Sequence, residues 1–348
     1  MKNQYVGDVG DYGKYSLLRF LALHGIRIGI NWYLTDNDKS SDGKFTEYLN
    51  SVANRVYDPD IYDELRSITE KYPKFQRTVK MIQDSEMIPG AVFFDEKLDS
   101  VEAKLLERAW KRHVWFERSA EVLKNTELVF ADPDNGISYK KTSRNKGCEK
   151  YVLPEEVAMY YYSGKDIVYY CHRGRRTDDK WEQAKSQIKK HVCDACLFAL
   201  TFHRGTQRSY IFVVHSEQQR KFDSLLKEFL STSKWGEKEI FTWENVREVE
   251  TGLTPDLCER WAVINYFQKA FPFKTEKETV LGRMTNEQID QLINASTVVQ
   301  GKNFYNAYKK SGFSAPTIGT IYLEGTIIKQ NDDGTISIIQ PSNREKTE

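Results

Sequence analysis

At 348 residues, 40% hydrophobic and 29% charged, the chain has globular composition and enough length for more than one domain. Its 51 lysines and arginines against 50 aspartates and glutamates leave a net charge of +1, which excludes a protein that coats a polyanion over its whole surface. No apolar run is long enough to span a bilayer, and the opening MKNQYVGDVGDYGKY lacks a signal-peptide core, so a cytoplasmic protein with no membrane contact is expected.

The first predicted helix covers residues 15–23, with Leu17, Leu18, Phe20 and Leu21 on one face and Gly25 as its stop. A strand follows at 27–34 and runs into the polar turn TDNDKSSDG. Residues 44–125 read as a mostly helical insertion, with Asp58-Pro59-Asp60 opening its second helix and a short strand possible at 91–94. The apolar run 127–131 is a buried strand that stops at Asp132-Pro133-Asp134-Asn135-Gly136. A basic loop at 140–150 leads to a helix over 153–162, opened by Pro154 and Glu155. The next strand, 166–171, ends at His172-Arg173-Gly174-Arg175-Arg176. A helix over 180–190 follows, then a strand over 195–202 that ends at His203-Arg204-Gly205, a strand over 210–215, and a helix over 218–231.

This alternation predicts an α/β, Rossmann-like, mostly parallel sheet with helices on both faces, spanning residues 1–235. In such sheets ligands bind beyond the C-terminal strand ends. Four strands here deliver acids, histidines or arginines to that edge, through Asp36 and Asp38, Asp132 with Asp134 and Asn135, His172 with Arg173, and His203 with Arg204. That clustering predicts a polar cleft. Two carboxylates flanking a proline at 132–134 invite a metal, a substrate amine or a basic partner, although the same residues are turn formers. His172 and His203 are candidate bases, and Arg173, Arg176, Arg204 and Arg208 are candidate substrate-phosphate contacts. The five cysteines are odd in number and scattered, which argues against a disulfide framework. His191-Val-Cys193-Asp-Ala-Cys196 is the one metal-like spacing, and it lacks a second cysteine pair, so buried thiols are expected.

Beyond the sheet, 236–280 reads as a helical linker region and 281–348 as a winged-helix-like module with a short disordered tail. Helices at 285–295 and 303–310, a third opened by Ser314 and carrying Ile318, Ile321 and Tyr322, and a hairpin around 331–334 give that order. The third helix would expose Thr317, Thr320 and Glu324 without a lysine or arginine. Weak phosphate attraction follows, and a protein partner or self-association through this module is the expectation.

The run Gly7-Asp8-Val-Gly-Asp11-Tyr-Gly-Lys14-Tyr15, with the helix and strand that follow, resembles the start of the RlmJ-type adenine-N6 methyltransferases of large-subunit rRNA. Gly7, Asp11 and Lys14 fall in register with a G-N-x-x-D-x-x-K-H motif, and Asp132-Pro133 falls where that family has D-P-P-Y. The chain is more similar still to a widespread group of bacterial proteins sharing GD-x-x-D-x-x-KY, DPDNG and histidine–arginine strand ends, over roughly residues 3–215. The resemblance implies a methyltransferase-like enzyme acting on nucleic acid or a nucleotide, with S-adenosylmethionine as cofactor. Under it, Gly7, Asp8, Asp11 and Lys14 belong to the cofactor site, Lys14 facing the cofactor carboxylate. Asp36 and Asp38 would hold the ribose and Asp132 would orient the acceptor. Asp134 and Asn135 depart from D-P-P-Y, and no glycine loop follows the first strand. Those departures leave two alternatives. One is a nuclease or phosphohydrolase using Mg²⁺ or Mn²⁺ on Asp8, Asp11, Asp132 and Asp134, and the other is a non-catalytic module that senses a ligand or partner.

Overall fold

In the computed structural model, the chain is described over residues 1–249 other than 41, 99–104, 142 and 144, at 251, 255, 258, 259, 262 and 266, and over 320–323, 326–330 and 336–339. Short apolar runs form the strands, buried in the central ones and partly exposed in the edge strands at 92–94 and 241–244. They are β1 (Ile28–Asn31), β2 (Val92–Phe94), β3 (Leu128–Ala131), β4 (Asp166–His172), β5 (Cys196–Phe202), β6 (Arg208–Val214) and β7 (Phe241–Glu244). They assemble into one sheet in the order β2-β1-β3-β4-β6-β5-β7. The pairs β2/β1, β1/β3 and β3/β4 are parallel, whereas β6 is antiparallel to β4 and β5, and β7 is antiparallel to β5. β5 therefore runs in the same sense as β4, and the C-terminal ends of β1, β3, β4 and β5 share one edge with the start of β6.

Alternation along each strand feeds two cores, one on each face of the sheet. Leu128 and Phe130 of β3, with Val168 of β4, face α1 (Val9–Leu23), α2 (Pro59–Lys71) and α7 (Gln219–Thr232). Val129 and Ala131, with Ile167 and Tyr169, face α4 (Leu105–Val122), α5 (Pro154–Tyr162) and Trp181 of α6 (Asp178–Ser186). The short helices α3 (Val79–Asp84) and α8 (Lys234–Glu237) complete the set, and Trp235 of α8 is buried against Tyr12 and Phe241. The architecture is thus α/β and Rossmann-like, as the alternation predicts. Among the described residues no helix is long and apolar enough to cross a membrane.

Several expectations need correction. The first helix starts at Val9, six residues before the predicted start at 15, with Asp8 as its N-cap accepting from the Gly10 amide. Asp11 and Lys14 therefore lie on helical turns and not in a loop ahead of them. Residues 241–244, expected in a helical linker, form β7 on the sheet edge, and Ala262 and Tyr266 join the core on the α4 side. In the C-terminal region, β8 (Thr320–Leu323), β9 (Thr326–Gln330) and β10 (Ile336–Ile339) form an antiparallel meander. The β9/β10 pair is the predicted hairpin. Ile321 and Tyr322, assigned to the third helix, lie in β8 instead. That run, TIYL, is β-branched and aromatic, which suits a strand better than a helix. The helices expected at 285–295 and 303–310 lie outside the described residues.

Candidate functional site

Strand order reverses between β1 and β3, because the chain leaves β1 for β2 on one side and returns to β3 on the other. In an open α/β sheet the crevice beyond such a switch point is where ligands bind. A cavity of about 320 Å³ opens beside it, under the first turns of α1 and across the ends of β3, β4 and β6. α1 contributes Asp8, Gly10, Asp11 and Lys14, and the turn after β3 contributes 132–135. Tyr170 and His172 come from β4, and Arg208 and Tyr210 from β6. Tyr170 pairs with Tyr210 and His172 with Arg208 in the sheet register, so the four side chains share one face.

An ion-pair network holds the floor. Lys14 Nζ lies 2.7 Å from Asp11 Oδ1 and 2.8 Å from Asp132 Oδ2, joining α1 to the end of β3. Asp11 Oδ2 also accepts the Gly7 amide at 3.1 Å. Burial works against the Lys14 ammonium, but Asp11 and Asp132 outweigh it and hold its proton well above the usual lysine range. Burial likewise raises Asp11, and Lys14 only partly offsets that. Asp8 Oδ1 accepts Arg208 Nη2 at 3.0 Å, leaving Arg208 Nη1 buried without a hydrogen-bond partner. Asp134 is buried and paired with the Met1 amino group at 2.9 Å; that group and Lys2 overcome burial and hold its carboxyl below the usual range. The Met1 amine also donates to the carbonyl oxygens of Tyr33 and Asp132. His172 is partly buried, and burial, then Arg176 and Arg208, lowers its pKa, so its imidazole is neutral at pH 7.

The cavity thus brings together Asp8, Asp11, Lys14, Asp132, Asp134, Asn135, His172 and Arg208 from the sequence expectation. Gly7 stands just outside, positioning Asp11. Other expected residues do not line it. Asp36 is exposed and paired with Lys97 at 2.7 Å, and Asp38 pairs with Lys2 and accepts from Gln4. His203 is exposed and engages Thr242 Oγ1 at 2.8 Å. Arg204 donates to Asn54 Oδ1 and lies over the Tyr57 ring, a packing role. Arg173 pairs with Asp178, and Arg176 donates back to the His172 carbonyl oxygen. Sequence reasoning missed Tyr5, Asp42, Phe45, Tyr170 and Tyr210. The two strand tyrosines carried a signal, since each sits two residues from an anticipated site residue on the same face.

The lining carries five aspartates against three cations, Lys14, Arg208 and the Met1 amino group, with the neutral His172 and aromatic rings beside them. Such a surface suits a cationic or amine-bearing ligand. Lys14 Nζ already stands between Asp11 and Asp132, where a bridging divalent ion would have to sit. Among the described residues no three histidine, cysteine or acidic side chains form a metal-ligating group, and none of the cysteines is disulfide-bonded. No protein-family model matches the chain, and no curated protein matches it.

Proposed function

We propose that the chain is a methyltransferase-like enzyme acting on an amine of a nucleic-acid base or nucleotide. The observation that carries this reading is the convergence of four chain-distant segments, 8–14, 132–135, 170–172 and 208–210, on one acid-rich cavity beside the switch point. The residues present fit S-adenosylmethionine. The ring of carboxylates suits its sulfonium and amino group, and the unpartnered, buried Arg208 Nη1 is a donor for its carboxylate. When bound, the cofactor supplies a methyl group on a cationic sulfur.

The chain's own residues would do the rest. Asp132, fixed by Lys14, accepts a hydrogen bond from the acceptor amine through the oxygen that Lys14 does not hold. That contact orients the nitrogen lone pair and favours the positive charge that develops on it. His172, kept neutral by burial and by Arg176 and Arg208, takes the proton the amine sheds. In this reading Lys14 positions Asp132 and is not a contact to the cofactor carboxylate, and Arg208 takes that contact.

Calorimetry with S-adenosylmethionine tests the proposal. The folded protein is expected to bind it, and Arg208→Ala to weaken binding by ~2 kcal/mol, roughly thirtyfold, for loss of a charge-assisted hydrogen bond. Absence of heat from the intact, folded chain at millimolar cofactor would remove the reading.

A further inference from the structure

The cavity wall contains an aromatic that nothing in the strand pattern announces. Phe45 lies on the segment after β1, lines the cavity, and keeps 42% of its surface exposed. Phe75 is more exposed still, at 61%, so exposure alone singles out nothing; Phe45 differs in that its open ring forms part of the cavity wall, where a bound ligand would cover it and gain hydrophobic stabilisation. Its backbone is fixed, because the Phe45 carbonyl oxygen accepts the Val9 amide, the first of α1, at 2.9 Å. Nearby, Tyr48 donates to the Gly7 carbonyl oxygen, so the segment is tied to the same helix start that presents Asp8 and Asp11. Polar groups line the same cavity, among them Asp132, Asn135 and His172. One flat apolar face beside edge-seeking donors and acceptors is the recognition pattern for a planar heteroaromatic ring.

We propose that Phe45 is the stacking surface for the planar ring of the acceptor, with Asp132 and Asn135 addressing that ring's edge. The proposal rests on the acceptor reading of the cavity given above. Lys44 Nζ lies 5.6 Å from the centroid of the Phe45 ring.

The test uses the full chain and three titrations by calorimetry: adenosine monophosphate as planar probe, ribose 5-phosphate as ringless control, and S-adenosylmethionine. Phe45→Ala is expected to weaken adenosine monophosphate about tenfold or more, as loss of one base–aromatic stack does. Phe45→Trp keeps or improves that affinity, and Phe45→Leu falls with alanine. Cofactor and ribose 5-phosphate affinities stay unchanged in all three, and an unaltered melting temperature shows that each variant is folded. Full affinity in Phe45→Leu, or no loss in Phe45→Ala, overturns stacking. A parallel loss of cofactor affinity overturns assignment of Phe45 to the acceptor. Wild-type binding of cofactor without adenosine monophosphate sinks this proposal and leaves the enzyme reading standing. The converse leaves the stacking surface standing and removes the methyltransferase.

Discussion

Lys14 is the residue on which the site's geometry depends. Its ammonium is buried between Asp11 and Asp132 and lies 4.8 Å from the Tyr15 ring centroid, so its charge is compensated on several sides. Replacing it with methionine keeps the volume and removes the cation, which leaves two buried carboxylates facing each other. Removing one partner of a buried pair typically costs ~3–5 kcal/mol. Lys14→Met should therefore lower unfolding free energy by about 3 kcal/mol or more in urea. Asp132→Asn should cost less, because the amide still accepts from Lys14. Equal losses in the two variants would show that the pair is not what holds α1 to β3. Part of this network is legible in sequence. Asp132, Asp134, Asn135 and His172 each end a strand run or follow one directly. Asp36 and Asp38 also follow a strand run, yet they miss the cavity because β1 stops at Asn31, and Lys97 and Lys2 hold both carboxylates elsewhere.

At the scale of an element, α1 explains the largest misreading. The segment GDVGDYGKY has three glycines and reads as loop, since glycine in a helix costs up to ~1 kcal/mol relative to alanine. The structure accounts for all three by close approach, and Gly7, where a Cβ would stand 2.5 Å from Thr69 Cγ2, also has a positive φ of 89°. A Cβ on Gly10 would stand 2.0 Å from Arg208 Nη1, and one on Gly13 2.4 Å from the Phe202 ring. Tertiary packing overrides propensity here, and no local pattern could reveal partners nearly 200 residues away. The conflict yields a signed prediction. Gly13→Ala gains up to ~1 kcal/mol of helix propensity but drives a methyl into a buried ring, and overpacking costs ~1–3 kcal/mol. A net destabilisation, seen as a lower denaturation midpoint, is expected; a stabilised variant would mean that α1 and β5 are not packed this closely. The strand boundaries fared better, because buried β-branched and aromatic runs bounded by turn residues leave little choice. Tyr5, ahead of α1, and Asp42 and Phe45, on the segment after β1, could not be anticipated, since neither stretch has a periodic relation to the strands.

Over the whole molecule, histidines kept neutral by burial set the response to acid. Burial pushes His113 down to about 3, and burial with Lys190 pushes His191 down to about 4. In the unfolded chain both return to an ordinary value near ~6.5. Between those limits the unfolded state binds more protons, so stability falls as pH drops below ~6.5. His215 acts in the other direction. Burial opposes its charged form, but Asp166 outweighs burial and raises its pKa. Its contribution is fully present below its unfolded pKa and is lost as pH rises through the folded one. With His172, lowered by burial and by Arg176 and Arg208, three lowered histidines stand against the one raised. Moving from pH 7 to pH 5 should cost about 2 kcal/mol through the buried His113, less through the partly exposed His191, and recover a fraction through His215. Urea denaturation at the two pH values measures the sum. His113→Phe, which removes the titrating nitrogens beside Tyr266, should flatten the slope between pH 7 and pH 5 whatever its effect at pH 7. A wild-type stability that does not fall between pH 7 and pH 5 would mean that His113 takes up its proton in the folded state, and hence that water reaches the core between α4 and residue 266.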